Sequence, residues 1–210
     1  MSVCSHDHSC RQSFKHDGHI NPSAVTPVKL LCGLIASSHE DAVNAQKHLL
    51  KCIPGPYSCL GPFDFDFTAY YAAEMGSDLI RMIWVMPGLY SLENLHFAKV
   101  LTNSLEKSLC LDCKRRVNLD PGYMTAAKVV LFSTKDYTHR VYVGDNIFAE
   151  ATLKFKNKNF EPFEYTYADY RLAEVREFLS FHRKEYMTRL KDLRKTGNPF
   201  ECYDFPSMMT

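Results

Sequence analysis

No stretch of this 210-residue chain reaches the roughly eighteen consecutive apolar residues of a membrane-spanning helix. The opening "MSVCSHDHSCRQSFKHDGHI" has no apolar core of the secretory kind, so export is not expected. Charge of one sign is also missing. A net charge of +1 gives no overall field toward nucleic acid or an anionic membrane. The chain has no GxxxxGK[ST] loop to cradle phosphates, no GxSxG, no HExxH and no Cys-His signature. Cysteines are not scarce, but the eight at 4, 10, 32, 52, 59, 110, 113 and 202 lack the compact spacing of a disulfide framework. With no export signal they are expected as reduced thiols, which points to a cytoplasmic protein.

What is present is ordinary for a packed domain: 46% hydrophobic and 23% charged residues. Residues 1–27 are polar and read as a flexible tail, 28–195 as one globular domain, and 196–210 as a second tail. "VKLLCGLIA" reads as a buried strand. Ser38 with Asp41 reads as a capping box that opens a helix to about Ile53. "FDFDFT" alternates with strand periodicity, Asp64 and Asp66 sharing a face, and "LIRMIWVMP" is a third strand. Ser91 is expected to cap a helix over about 92–109. A fourth strand is expected to close in a type II turn at Asp120-Pro121-Gly122, because glycine supplies the positive φ. Strands at 128–134, 139–143 and 147–156 follow, and Thr166 with Asp169 is expected to cap a long helix to about Lys195. The class is therefore α+β: a ferredoxin-like βαββαβ core extended by antiparallel strands, with the long C-terminal helix packed on the sheet.

The segment 139–155 fixes a register. A three-residue loop Gly144-Asp145-Asn146 pairs Val143 with Ile147 and Val141 with Ala149, so apolar meets apolar. It sets Arg140 opposite Glu150, an expected ion pair on the polar face beside Thr152.

The motifs "YYAAEMG", "VNLDPGY", "STKDYTHR", "AEATLKF" and "YTYADYR", in this order, resemble the DUF4416 family over about Val28 to Lys191. Members of that family are sometimes labelled GTP-binding, but "TKDY" and "NKNF" both miss the NKxD pattern that reads guanine. Ala69 stands where the resemblance implies an acidic residue. The resemblance implies that the recurring polar residues Glu74, Arg81, Arg116, Asn118, Asp120, Lys135, His139, Arg140, Glu150 and Asp169 form a site, since a core needs no such set.

The chemistry of these residues suits an anion. Arginine offers a planar fork of donors and lysine a point charge, the usual partners of phosphate or carboxylate. Arg140, Lys135 and Arg81 are expected to hold it, Glu150 to orient Arg140, and Asp66, Glu74 or Asp120 to bind a divalent metal or move a proton. His139 joins them if it sits in the loop. The plain alternatives are a solvated basic turn, a solvated face for Asp64 and Asp66, a Glu74–Arg81 structural pair, and a turn-forming Asp120. His182, on an apolar helical stripe, reads as a satisfied core histidine. Cys4, His6, His8 and Cys10 with Cys110 and Cys113 make an incomplete zinc set, better read as adventitious metal binding by the tail. The expected function is binding of, or action on, an anionic small molecule such as a nucleotide or other phosphate compound. The rival is a non-catalytic module whose tyrosines 70, 71, 165 and 167 meet a protein partner. Nucleic acid is disfavoured, because an RNP-type aromatic signature is absent.

Overall fold

The computed structural model describes residues 26–53, 55, 57–68, 70–196 and 202–203. The expected N-terminal tail, with Cys4, His6, His8 and Cys10, lies almost wholly outside the described residues, as do Ala69 and most of 196–210. The chain runs β1 (Lys29–Ala36), α1 (His39–Leu49), β2 (Ser58–Asp64), α2 (Ala72–Met75), β3 (Ile80–Val85), β4 (Leu89–Tyr90), α3 (Phe97–Ser108), β5 (Val117–Met124), β6 (Lys128–Ser133), β7 (Val141–Gly144), β8 (Ile147–Lys156), β9 (Asn159–Pro162), a 3-10 turn (Asp169–Arg171), α4 (Ala173–Thr196) and β10 (Cys202–Tyr203). Among the described residues one antiparallel sheet takes the order β2-β3-β1-β5-β6-β8-β7, with β9 also on β8, while β10 pairs with β4 in parallel. No helix among the described residues is long and apolar enough to cross a membrane.

β1 is buried along its whole length because both faces of the sheet are covered there. Leu30, Cys32, Leu34 and Ala36 pack on Ala42, Ala45 and Leu49 of α1 and on Ala98 of α3. Leu31 faces the other way, with Ile83 and Val85, against Val175 and Leu179 of α4. Each leucine, isoleucine or valine among them contributes about 1.5–3 kcal/mol when fully buried. Ser38 caps α1 as expected, its hydroxyl accepting from the Asp41 N–H at 3.1 Å. His182 lies, as expected, on an apolar stripe of α4, buried with Val175, Leu179, Tyr186 and Leu190. Both ring nitrogens of His182 are satisfied, by Glu185 at 2.7 Å and Ser58 at 2.9 Å.

Several local expectations are corrected. The second strand lies earlier than "FDFDFT": Asp64 is its last residue, and Asp66 is an exposed loop position. Tertiary packing overrides the alternation, since Phe65 turns into a cluster with Ile35, Met75 and Leu79, and Phe67 stacks edge-on against it at 5.6 Å. Asp120-Pro121-Gly122 is not a turn but the middle of β5, opposite Gly33, Cys32 and Leu31. Ser91 accepts from the Glu93 N–H at 3.2 Å in a local turn, and α3 starts only at Phe97. Thr166 does not cap α4 with Asp169; it bonds Phe163 and Thr152, and Asp169 is drawn away by Arg81.

The hairpin register holds at its base, Val141 pairing with Ala149, but the loop has two residues. Asp145 and Asn146 both take positive φ (50° and 57°), as a tight hairpin turn requires, and Val143 is left out of the ladder as a bulge. The faces are inverted. Val141 is 69% exposed, whereas Arg140 and Glu150 point inward, 1% exposed each at the side chain and 2.6 Å apart.

Candidate functional site

The site begins where β5 and β6 part. They pair only through Gly122–Met124 with Val129–Leu131. Upstream, β5 stays with β1, and downstream, β6 stays with β8, so the ladder forks. Pro121 sits at the fork, and having no N–H it has nothing to donate to a partner strand. Gly122 is needed just beyond it, because a Cβ there would collide with the Val130 carbonyl as β6 closes in.

The open edge of β5 is satisfied from α3. Glu106 accepts from the Leu119 N–H at 2.8 Å, and the Lys99 ammonium donates to the Leu119 carbonyl at 2.6 Å. Successive residues of a strand turn their backbone groups to alternate sides, so Pro121 faces the same side as Leu119. Two buried charges thus replace the missing ladder, and a cavity of about 360 Å³ lies against the opening.

Three polar groups line it. On the sheet, Arg81 pairs with Asp169 at 2.7 Å, the two side chains 2% and 6% exposed. A Cβ on Gly33 would stand 2.6 and 2.9 Å from the Arg81 Nη atoms, so the missing side chain is what lets the guanidinium lie across β1. Arg81 Nε and Nη1 and the Tyr170 hydroxyl are buried and without a hydrogen-bond partner among the described residues.

The second group is a ring. Lys99 reaches Asp120 at 3.2 Å, Asn118 donates to Asp120 at 2.6 Å, Arg115 donates to Asn118 at 3.0 Å, and Glu106 faces both Arg115 and Lys99 at 3.6 Å. Burial alone would raise the Asp120 pKa, but Lys99 and then Arg81 outweigh it and hold that carboxyl below its usual range. Burial would likewise lower that of Lys99; Asp120 and Glu106 reverse this and keep the ammonium charged. Burial pushes Glu106 up, only partly offset by Lys99 and the Leu119 N–H.

In the third group the guanidinium of Arg140 donates to Glu150 (2.6 Å), Ser133 (2.7 Å), the Lys135 carbonyl (3.0 Å) and the Tyr167 hydroxyl (2.7 Å). Four of its five N–H donors are thereby engaged inside the protein. His139 lies in the turn before β7 and joins Glu150 at 3.1 Å, stacked on Tyr165 at 4.2 Å. Lys135 stands at the mouth, bonded to the Tyr70 hydroxyl at 2.9 Å with its ammonium 4.1 Å from that ring.

Of the residues read from the sequence, Arg81, Asn118, Asp120, Lys135, Arg140, Glu150 and Asp169 line the cavity together. His139 backs Glu150 from outside it. Glu74 pairs with Arg115, a lining residue, and not with Arg81. Arg116 is held by Asp41 at the start of α1, 2.8 Å away. Asp66 stays outside the lining, and Asp64 is exposed on the edge strand. Cys110 and Cys113 are exposed free thiols, and no group of three or more His, Cys, Asp or Glu able to hold a metal ion forms among the described residues.

Sequence reasoning missed Lys99, Glu106 and Arg115. A signal for the first two existed: they are seven apart on α3, hence on one helical face, and Thr102 between them is buried too. A lysine and a glutamate on the buried stripe of a helix call for buried partners.

The architecture is thus a mixed α/β chain whose forked antiparallel sheet carries a polar, tyrosine-rimmed cavity. Residues 26–186 match the family model described as "Domain of unknown function (DUF4416)", and the chain belongs to that family. Comparisons with curated proteins and with solved structures find no match.

Proposed function

We propose that the cavity binds an anionic small molecule, a nucleotide or another phosphate compound. The observation that carries this reading is the cationic donor capacity left after the internal pairs are made. Five lining cations (Arg81, Lys99, Arg115, Lys135, Arg140) meet four lining carboxylates (Glu106, Asp120, Glu150, Asp169), and Glu74 just outside the lining pairs with Arg115, so the spare capacity lies in particular groups and not in a net charge. Lys135 has no carboxylate partner among the described residues, and Arg81 keeps spare N–H groups at the floor. A volume of about 360 Å³ falls within the usual range for small-molecule sites. We also read the quartet β2-β3-β1-β5, with α1 and α3 on one face, as a ferredoxin-like core, and the chain as cytoplasmic.

The test is a thermal-shift panel of nucleotides, phosphorylated metabolites and inorganic phosphates on wild type and Lys135→Ala. A ligand at about a hundred times its Kd adds roughly 2.7 kcal/mol, a rise the lysine variant should diminish. A flat response across the panel would sink the reading. One observation favours the interaction module instead: β7, a terminal strand of the sheet, exposes Val141, Tyr142 and Val143 to solvent. Under that reading Val141→Lys would abolish capture of a partner while leaving the melting temperature unchanged.

A further inference from the structure

The anion reading leaves open which atoms meet the ligand, and the hydroxyls at the cavity mouth answer that by elimination. Arginine and lysine side chains can only donate hydrogen bonds. Where Arg140 Nη2 meets the Tyr167 hydroxyl at 2.7 Å, and Lys135 Nζ meets the Tyr70 hydroxyl at 2.9 Å, the phenolic oxygen must therefore accept. Each tyrosine O–H is then free to donate elsewhere. Neither hydroxyl donates to any acceptor among the described residues, and both residues line the cavity.

The mounting is rigid. The Arg140 side chain is 1% exposed and held by Glu150, Ser133 and the Lys135 carbonyl, with the Tyr137 ring 4.5 Å from its guanidinium carbon. A merely solvated tyrosine needs no buried, fully braced cation behind its oxygen, whereas a binding group does. The two hydroxyls are also joined through the protein: Tyr70 bonds the Lys135 ammonium, the Lys135 carbonyl bonds Arg140, and Arg140 bonds Tyr167.

Resting on the anion reading, we propose that Tyr70 and Tyr167 are oxyanion-binding residues, donating their hydroxyl protons to the terminal oxygens of a phosphate or carboxylate held at the cavity mouth beside Lys135. Arg140 is the positioning residue of this pair. Its task is to fix the Tyr167 oxygen as an acceptor and so aim its proton outward. A ligand with acceptor oxygens is selected, and one presenting an ammonium group is rejected. Sequence reading singled out both tyrosines only as aromatics for a protein partner, since nothing local pairs their hydroxyls with Lys135 and Arg140.

The experiment is isothermal titration of the full chain with inorganic phosphate, pyrophosphate, a nucleoside monophosphate and malonate, the last separating carboxylate from phosphate. Wild type, Tyr70→Phe, Tyr167→Phe, Lys135→Ala and Tyr142→Phe are compared. Tyr142 is 58% exposed and lies outside the cavity lining, so its variant is the control. Each of the two Phe variants at the mouth should weaken binding about tenfold to a hundredfold, the range for a hydrogen bond to a charged group. Tyr70→Phe should keep the wild-type melting temperature, because its oxygen lies exposed at the mouth, whereas Tyr167→Phe should lower it, because the buried Arg140 loses an acceptor; each affinity is therefore measured well below the melting temperature of its variant. If wild type binds a probe and Lys135→Ala weakens it while both Phe variants bind as wild type, this assignment is wrong and the anion site stands. If wild type binds none of the four probes, the assignment and the anion reading fall together.

Discussion

Replacing Arg81 by methionine should be among the most damaging single changes to this fold, and the reason lies in what it leaves behind. The 2.7 Å pair with Asp169 is almost wholly removed from solvent, at 2% and 6% side-chain exposure. At an effective dielectric of about 20 the Coulomb attraction at that separation is about 6 kcal/mol. Desolvation costs several kcal/mol per ion, so the intact pair gains little net stability. Two buried Arg81 donors without partners lower the gain further. Removing only the cation is another matter. Asp169 is then buried without compensation, at a cost of about 3–5 kcal/mol. Asp120, which Arg81 helps to keep ionised, also loses a neighbour. For a chain of this size about 2–4 °C of melting temperature goes with each kcal/mol, so a fall of about 6–20 °C is expected. The double variant Arg81→Met with Asp169→Leu should recover to within about 1–2 kcal/mol of wild type, since it removes both charges. Urea unfolding of the four proteins, read as a double-mutant cycle, measures this directly. An Arg81→Met cost below about 1 kcal/mol, or a double variant as unstable as the sum of its singles, would refute the reasoning.

Gly33→Ala should weaken the same pair from the other side, since its Cβ would stand 2.6 Å from Arg81 Nη2; a loss of about 1–3 kcal/mol is expected by chemical denaturation. Glu106→Ala should cost about 1–3 kcal/mol and speed hydrogen exchange at the Leu119 amide, which loses its acceptor; unchanged protection would disprove the role. The His182 pKa is depressed from 6.5, by burial above all and despite Glu185. The unfolded chain therefore takes up that proton more readily, and stability should fall as pH drops from about 6.5 to the lower folded value. His182→Gln should flatten that slope, and a melting-temperature profile of equal slope in both proteins would count against it.

Much of the fold was legible because packing agreed with local pattern. β1 reads as a continuous apolar run since both its faces are covered, and α4 shows its stripe because one face meets the sheet. The register at Val141 and Ala149 followed from matching two alternations. Alternation alone, however, does not say which face is the core. In β7 the valines face solvent and the neighbouring ion pair faces in, because the cavity needs Arg140 and Glu150 more than the sheet needs two more valines. "DPG" misled for a related reason. Proline and glycine usually mark a turn because they suit its dihedrals, but here they mark the end of a ladder. Proline tolerates an absent partner strand, and glycine lets β6 approach where the ladder resumes.

That fork is what links the fold to the site. A sheet that stayed paired from Val117 to Ser133 would give Leu119 backbone partners and take from Lys99 and Glu106 the carbonyl and the N–H that they now bond. Burying those two charges on α3 is helped by the N–H and the carbonyl that β5 offers them, beside their ion pairs with each other, Asp120 and Arg115. They then stand beside Asp120, Asn118 and Arg115, whose hydrogen bonds lead to an ion pair between Arg115 and Glu106. The unpaired strand edge and the buried charges satisfy one another, so the polar cavity is part of how this chain folds. A substitution at Pro121 that lets β5 and β6 zip further should therefore destabilise the protein, although it would add a backbone hydrogen bond.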